Sequence, residues 1–180
     1  MKAIKPKNVY FIKLGSGGHL EQSCIEKDHT IRLGFNKTDH KACLSGDWEK
    51  IRKDELNSGR AKGKATEITN EIRRFYEEDE NTLWITFYAN HMWWCFAYKS
   101  VERHPDGSKA RKVIGQWRDT DINGHPLSFE TISGKLLQVR GFRGTICSVD
   151  LLYVTNKVNG ITSPEVARSM DCFDAFRSSL

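Results

Sequence analysis

The stretch that most constrains the fold is residues 82–99, TLWITFYANHMWWCFAYK. At the two-residue period of a strand, Leu83, Ile85 and Phe87 fall on one face and Trp84, Thr86 and Tyr88 on the other. A strand that is apolar on both sides has to be covered on both sides. Ala89-Asn90-His91 is short enough to close a hairpin, and the return run sets Met92, Trp94, Phe96 and Tyr98 against Trp93, Cys95 and Ala97. Three of the five tryptophans lie in this stretch. Aliphatic side chains suffice for a sheet core, whereas a buried indole N–H must find an acceptor, so the tryptophan density points to a flat ligand.

The flanking chain supplies partners for this hairpin. Residues 8–15 read as a strand, with Val9, Phe11 and Lys13 opposite Tyr10, Ile12 and Leu14. It runs into Gly15-Ser16-Gly17-Gly18, a loop whose glycines allow a sharp turn and leave backbone N–H groups accessible to a phosphate or a planar ligand. No GK[ST] or G-x-G-x-x-G follows, so neither nucleotide-binding fingerprint is present. Residues 29–35 form a second strand, 36–47 a polar loop, and Asp47 caps a short amphipathic turn opened by Trp48. Residues 57–64 are a basic loop carrying Arg60, Lys62 and Lys64. Ala65, Ile68, Ile72, Phe75 and Tyr76 then mark one face of a helix over 65–78. His104-Pro105-Asp106-Gly107 is a turn leading to a strand over 109–117. A short helix over 127–137, a last strand over 144–154 and a helix started by Ser163-Pro164 complete the reading. The expected organisation is one domain over 1–156 with a helical extension or linker over 157–180.

Composition narrows the function classes. The net charge of +5 admits an anionic partner without demanding one. No apolar run approaches the roughly 18 residues of a membrane span, and MKAIKPKNVY lacks a signal-peptide core, so a cytoplasmic location and no membrane partner are expected. Five dispersed cysteines do not form a disulfide framework. Cys24, His29, His40 and Cys43 are chemically able to hold zinc, but their spacing is not that of a standard finger; buried thiols and surface histidines are the expectation, with no metal and no cofactor. No Ser, Cys or His stands in a catalytic context, and Asp119 and Asp121 read as loop residues rather than an acid–base pair, so the chain is not expected to be an enzyme.

The order of parts resembles the PUA superfamily, in particular its EVE and YTH domains. The resemblance is carried by VYFIKLGSGG at Val9 to Gly18, the Trp-containing segment and helix from Asp47 to Tyr76, TLWITFYANHMWWCFA with the following HPDG, and the segment from Trp117 to Leu137. It covers residues 8–150 as pattern and order, and departs from it at His91-Met92-Trp93-Trp94, where those families tend to carry small residues. It implies an α+β fold on a curved, mostly antiparallel sheet or open β-barrel with two or three flanking helices. It also implies that a flipped, methylated base is held in an aromatic pocket beside the first strand's loop, and that bacterial members act as sensor modules of modification-dependent restriction or antiphage nucleases. Carried onto this chain, Ser16 and Gly17 line the pocket mouth, Trp48 matches the cage tryptophan and Asn90 the asparagine after the sheet strand. Tyr88 and one of Trp93 and Trp94 join them, because alternation sends the adjacent indoles to opposite faces.

The expectation is therefore a nucleic-acid reader, DNA before RNA, with Lys13, Arg60, Lys62, Lys64, Arg140 and Arg143 on the phosphates and an effector nuclease as partner. Three other readings stay open: an RNA binder of the same fold, a small metal-dependent nuclease using the Cys/His set, and a protein-interaction module with exposed tryptophans as hot spots.

Overall fold

In a computed structural model, residues 2–161 are described; the helix expected at Ser163 lies outside them. The elements are β1 (Asn8–Ile12), β2 (Thr30–Leu33), α1 (His40–Ser45), α2 (Trp48–Asn57), α3 (Lys62–Glu77), β3 (Thr82–Tyr88), β4 (His91–Phe96), β5 (Glu102–Arg103), β6 (Lys109–Lys112), α4 (Gly134–Leu137), β7 (Ile146–Ser148) and α5 (Leu151–Val158). The class is α+β. The strands form two sheets, ordered β4-β3-β1-β7 and β2-β6-β5.

β3 and β4 pair antiparallel from Leu83↔Phe96 to Tyr88↔His91. Ala89 and Asn90 turn the chain with φ of 48° and 61°, the positive values of a type I′ hairpin. β1 lies on the other side of β3 and runs parallel to it, Asn8 opposite Thr82 and Phe11 opposite Ile85. The sheet is thus mixed where a mostly antiparallel one was expected. A parallel neighbour needs a long crossover, and the chain between Ile12 and Thr82 supplies one containing β2 and α1–α3.

The two sheets meet at both ends of this arrangement. Ala97 and Val113 form a bridge, flanked by Tyr98 N–H donating to Lys112 O at 2.9 Å and Ile114 N–H to Phe96 O at 2.8 Å. At the opposite end Gly15 N–H donates to Arg32 O at 3.1 Å, joining the end of β1 to β2. These are isolated contacts rather than ladders, and the described residues do not form a closed barrel.

Alternation along the hairpin sorts two cores. Leu83, Ile85, Phe87, Met92 and Trp94 pack with Val9, Phe11, Leu127, Ile132, Leu136, Val154 and Val158 on one side of the first sheet. Trp84, Cys95 and Ala97 pack with Ile12, Leu14, Ile31, Leu33, Ile72, Phe75 and Trp117 on the other. α3 covers that second face with Ala65, Ile68, Ile72, Phe75 and Tyr76, all buried as its spacing requires.

Five elements differ from the sequence reading. The strand expected over 109–117 ends at Lys112. α1 lies within the stretch read as a loop; Asp39 caps it by accepting from Lys41 N–H and Ala42 N–H, and Gly46, with φ of 74°, ends it. α3 begins at Lys62, so Lys62 and Lys64 sit on its first turn rather than in a loop. The expected last strand stops at Ser148. Asp150 then accepts from Tyr153 N–H and starts α5, whose Val154 and Val158, four apart, bury against the sheet. The 157 boundary consequently falls inside a helix. Over 127–137 the single expected helix is a 3₁₀ turn at Phe129–Thr131 followed by α4, which Ser133 caps.

β6 carries the most expensive burial. Lys109 and Arg111 are both 0% exposed in the strand KARK. Arg111 donates to three backbone carbonyls, and Lys109 to one, Phe35 O at 2.6 Å. Glu71, on the inner face of α3, accepts from Thr145 N–H at 2.7 Å and so fixes the start of β7.

Candidate functional site

A cleft of about 540 Å³ opens where β1 ends, between the loop after β1, the segment 34–39 after β2, and α2. Gly15 turns out of β1 with φ of 76°, and Gly34 lies beside it, where a Cβ would meet Ser16 N in ordinary contact at 3.6 Å. Phe35 follows with φ of 48°, a left-handed conformation that a bulky residue rarely takes. Asn36 and Lys37 continue the wall, Ile51 gives it an apolar floor on α2, and Thr145 closes the far side.

The cleft's three carboxylates are ion-paired to two cations. Lys50 Nζ bridges Asp39 at 3.0 Å and Asp54 at 2.8 Å, and Arg60 binds the buried Glu55 at 2.6 Å. With Lys37 counted the charge is balanced, one aromatic residue, Phe35, is part of the lining, and the volume falls in the small-ligand range of roughly 300–1,000 Å³. Such a site suits a neutral planar molecule with hydrogen-bonding edges better than a phosphate.

The residues expected to form an aromatic cage do not converge. Ser16 lines the cleft, with the exposed Gly17 beside it. Trp48 lies in a second depression of about 380 Å³ with Leu44, Tyr76, Lys99 and Val101, its indole N–H donated to Glu77 at 2.8 Å and its ring edge-on to Tyr76. Tyr88, Asn90 and Trp93 sit together at the hairpin end. There Trp93 Nε1–H donates to Tyr88 O at 3.0 Å and Tyr88 O–H to Glu26 at 3.0 Å. Trp94, 3% exposed, is core, its N–H given to Thr120 O at 2.7 Å. Of the adjacent indoles, Trp93 is the half-buried one.

The expected phosphate ligands are spread as well. Arg60 reaches the cleft but is bound to Glu55, and Lys64 pairs with Glu67 on the exposed side of α3. Lys13 donates from Nζ to Phe142 O, and Arg140 stacks 4.5 Å over Phe129. Half-buried Glu21 feels both Arg140 and Lys13, yet burial dominates and lifts its carboxyl to about 6. Arg143 is exposed.

Of the Cys/His set, His40 Nδ1 meets Tyr76 O–H at 2.7 Å, and burial pushes the Cys43 thiol up to about 11, leaving it protonated at neutral pH. Among the described residues no three His, Cys, Asp or Glu side chains converge as metal ligands. Asp121, read as an ordinary loop residue, is buried and accepts from Asn123 N–H and His125 N–H, organising the turn that packs on α5. Among the described residues no helix is long and apolar enough to cross a membrane.

Sequence reasoning missed Phe35, Asn36 and the Asp54–Glu55 pair. The only signal was weak: an aromatic residue and a glycine closing a strand ahead of N-K-T-D. No known family model matches the chain, and neither the curated proteins nor the solved structures contain a significant match to it.

Proposed function

We propose that this chain binds nucleic acid by seating one planar base, modified by a methyl group, in the cleft between Gly15-Ser16 and Phe35. The observation that carries the reading is the lining itself: one aromatic residue, Phe35, opposite the glycine-turned backbone of Gly15-Ser16, with the carboxylates ion-paired to Lys50 and Arg60. A base needs that combination, because its ring gains about 1–3 kcal/mol by stacking while its edges require polar partners. The two sheets joined at both ends support the finer reading of an open, PUA-like barrel, with the cleft at the end of its first strand. Lys37 on the cleft wall, with Lys13, Arg140 and Arg143 nearby in sequence or on the adjoining loops, supplies the sequence-independent attraction for phosphates. DNA is the favoured target, and a separate nuclease is the partner that converts recognition into cleavage.

The test is fluorescence anisotropy with matched DNA and RNA oligonucleotides that differ only in one 5-methylcytosine or N6-methyladenine. A buried methyl contributes about 0.8 kcal/mol, so the expected preference is roughly fourfold for one modification. Phe35→Ala should remove stacking and weaken binding at least fivefold. Equal affinity across the panel together with an unaffected Phe35→Ala variant defeats the proposal.

A further inference from the structure

The wall of the cleft is gripped from behind by the turn between β5 and β6. Lys109, fully buried, donates from Nζ to Phe35 O at 2.6 Å, an oxygen that also accepts from Thr38 N–H at 3.0 Å. Asn36 Nδ2 donates to Asp106 O at 2.9 Å. Gly107, with φ of 85°, lies so near that a Cβ would stand 2.4 Å from Asn36 O, an approach open to glycine alone. The turn is itself rigid, since Gly107 N–H donates to His104 O at 2.9 Å and His104 N–H to Ser108 O at 2.8 Å.

Two costs meet at this contact. A bulky residue at positive φ carries about 1–3 kcal/mol of strain and persists only where its surroundings hold it. A buried ammonium is expensive unless its hydrogen bonds repay desolvation, and an unbranched apolar side chain would fill the same space without that penalty. Phe35 packs in part against the core, but that contact requires neither its left-handed conformation nor a lysine at 109. Both are accounted for if the carbonyl of Phe35 is the object of the arrangement.

We propose that Lys109 and Gly107 are positioning residues of the cleft. They hold Phe35 in its left-handed conformation, so that the ring stands as a preformed wall before any ligand arrives. The inference rests on the reading of the cleft as a base site and adds that its shape is set from the β5–β6 turn. A wall fixed in advance loses less conformational freedom on binding, which is where a preorganised site gains affinity.

Two readouts test it on the whole chain. Protein made with 4-fluorophenylalanine gives a ¹⁹F resonance for Phe35, assigned by its loss in Phe35→Leu. Anisotropy against the oligonucleotide panel gives binding. Lys109→Met should stay folded, shift or broaden the Phe35 resonance, and weaken binding at least fivefold. In a Phe35→Ala background the same substitution should change binding less than twofold, since the two residues act through one ring. Gly107→Ala, pushing Asn36 from the other side, should reproduce the resonance change and serves if Lys109→Met does not fold. A merely structural lysine would lower the melting temperature, leave the Phe35 resonance in place and act additively with Phe35→Ala. Folded variants with an unmoved resonance overturn the inference. If the unaltered protein binds no member of the panel, the base-binding reading fails, and the resonance alone decides for or against the clamp.

Discussion

Replacing Arg111 by methionine sets two large effects against each other. The guanidinium is 0% exposed, donating from Nε to Tyr98 O at 2.6 Å and from its terminal nitrogens to Phe75 O at 3.0 Å and Ala97 O at 3.1 Å. It also lies 5.6 Å from the centre of the Trp84 ring and 5.9 Å from that of Phe75. Burial pulls its pKa from the ordinary guanidinium range down to about 10, and at 1.36 kcal/mol per decade that is about 3 kcal/mol spent on keeping it charged. Methionine avoids this cost and keeps most of the volume. Against it stand the buried carbonyls of Phe75 and Ala97, left without this donor at about 2 kcal/mol each, and the part-buried carbonyl of Tyr98 at about 1 kcal/mol, or about 5 kcal/mol together. The carbonyls win by about 2 kcal/mol, and in a chain of this size the melting temperature should fall by roughly 4–8 °C. Circular dichroism through thermal and urea unfolding measures both quantities. A methionine variant as stable as the parent, or more so, would show that desolvation outweighs the hydrogen bonds and that Arg111 does not secure the joint between α3, β4 and β6.

Three further outcomes follow from burial, backbone conformation and charge. Trp94→Ala should cost about 3–5 kcal/mol in urea unfolding, and Trp48→Ala and Trp93→Ala about 1–2 kcal/mol; equal losses would contradict their different burial. Ala89→Gly should stabilise by about 0.5–1 kcal/mol, because alanine at φ of 48° pays a penalty that glycine does not; a lower melting temperature would refute the type I′ geometry. Glu21 has its folded pKa raised to about 6, so the folded state holds the proton more tightly, and the resulting stability is present below about 4.5 and lost as pH rises through about 6. Since the side chain is only half-buried the amplitude should stay below about 1 kcal/mol, and Glu21→Gln should flatten that part of the pH–stability curve.

What was legible in the sequence was whatever a short window encodes. Leu83, Ile85 and Phe87 separated from Trp84 along β3 because period two is a local property, and Asp47 announced α2 because a cap acts on the next three residues. The parallel pairing of β1 with β3 was hidden, since a strand's alternation is the same in either direction. The stretch 144–154 misled for a related reason: a short apolar run fits strand or helix equally, and only the Asp150 cap decided for α5 beyond Ser148.

The site was less legible than the fold because tryptophan counting asks the wrong question. Trp94 and Trp117 each give their N–H to a backbone carbonyl, of Thr120 and Thr30, while Trp84 stacks on Arg111 without an acceptor among the described residues. These indoles fill wide gaps between layers, a packing role in which a polar edge ties a loop to the sheet. The cleft instead draws on residues 15–16, 34–39 and 51–60, separate in sequence, which meet beside the point where Gly15 N–H bonds to Arg32 O. Its aromatic member is marked by conformation rather than by composition. Phe35 stands out through its own positive φ, a buried lysine of β6 on its carbonyl and a turn glycine pressed against its neighbour, the last two some 70 residues further along the chain. Side chains that only fill space rarely draw that many costly supports, and for that reason the proposed base site is placed at Phe35 rather than among the more numerous tryptophans.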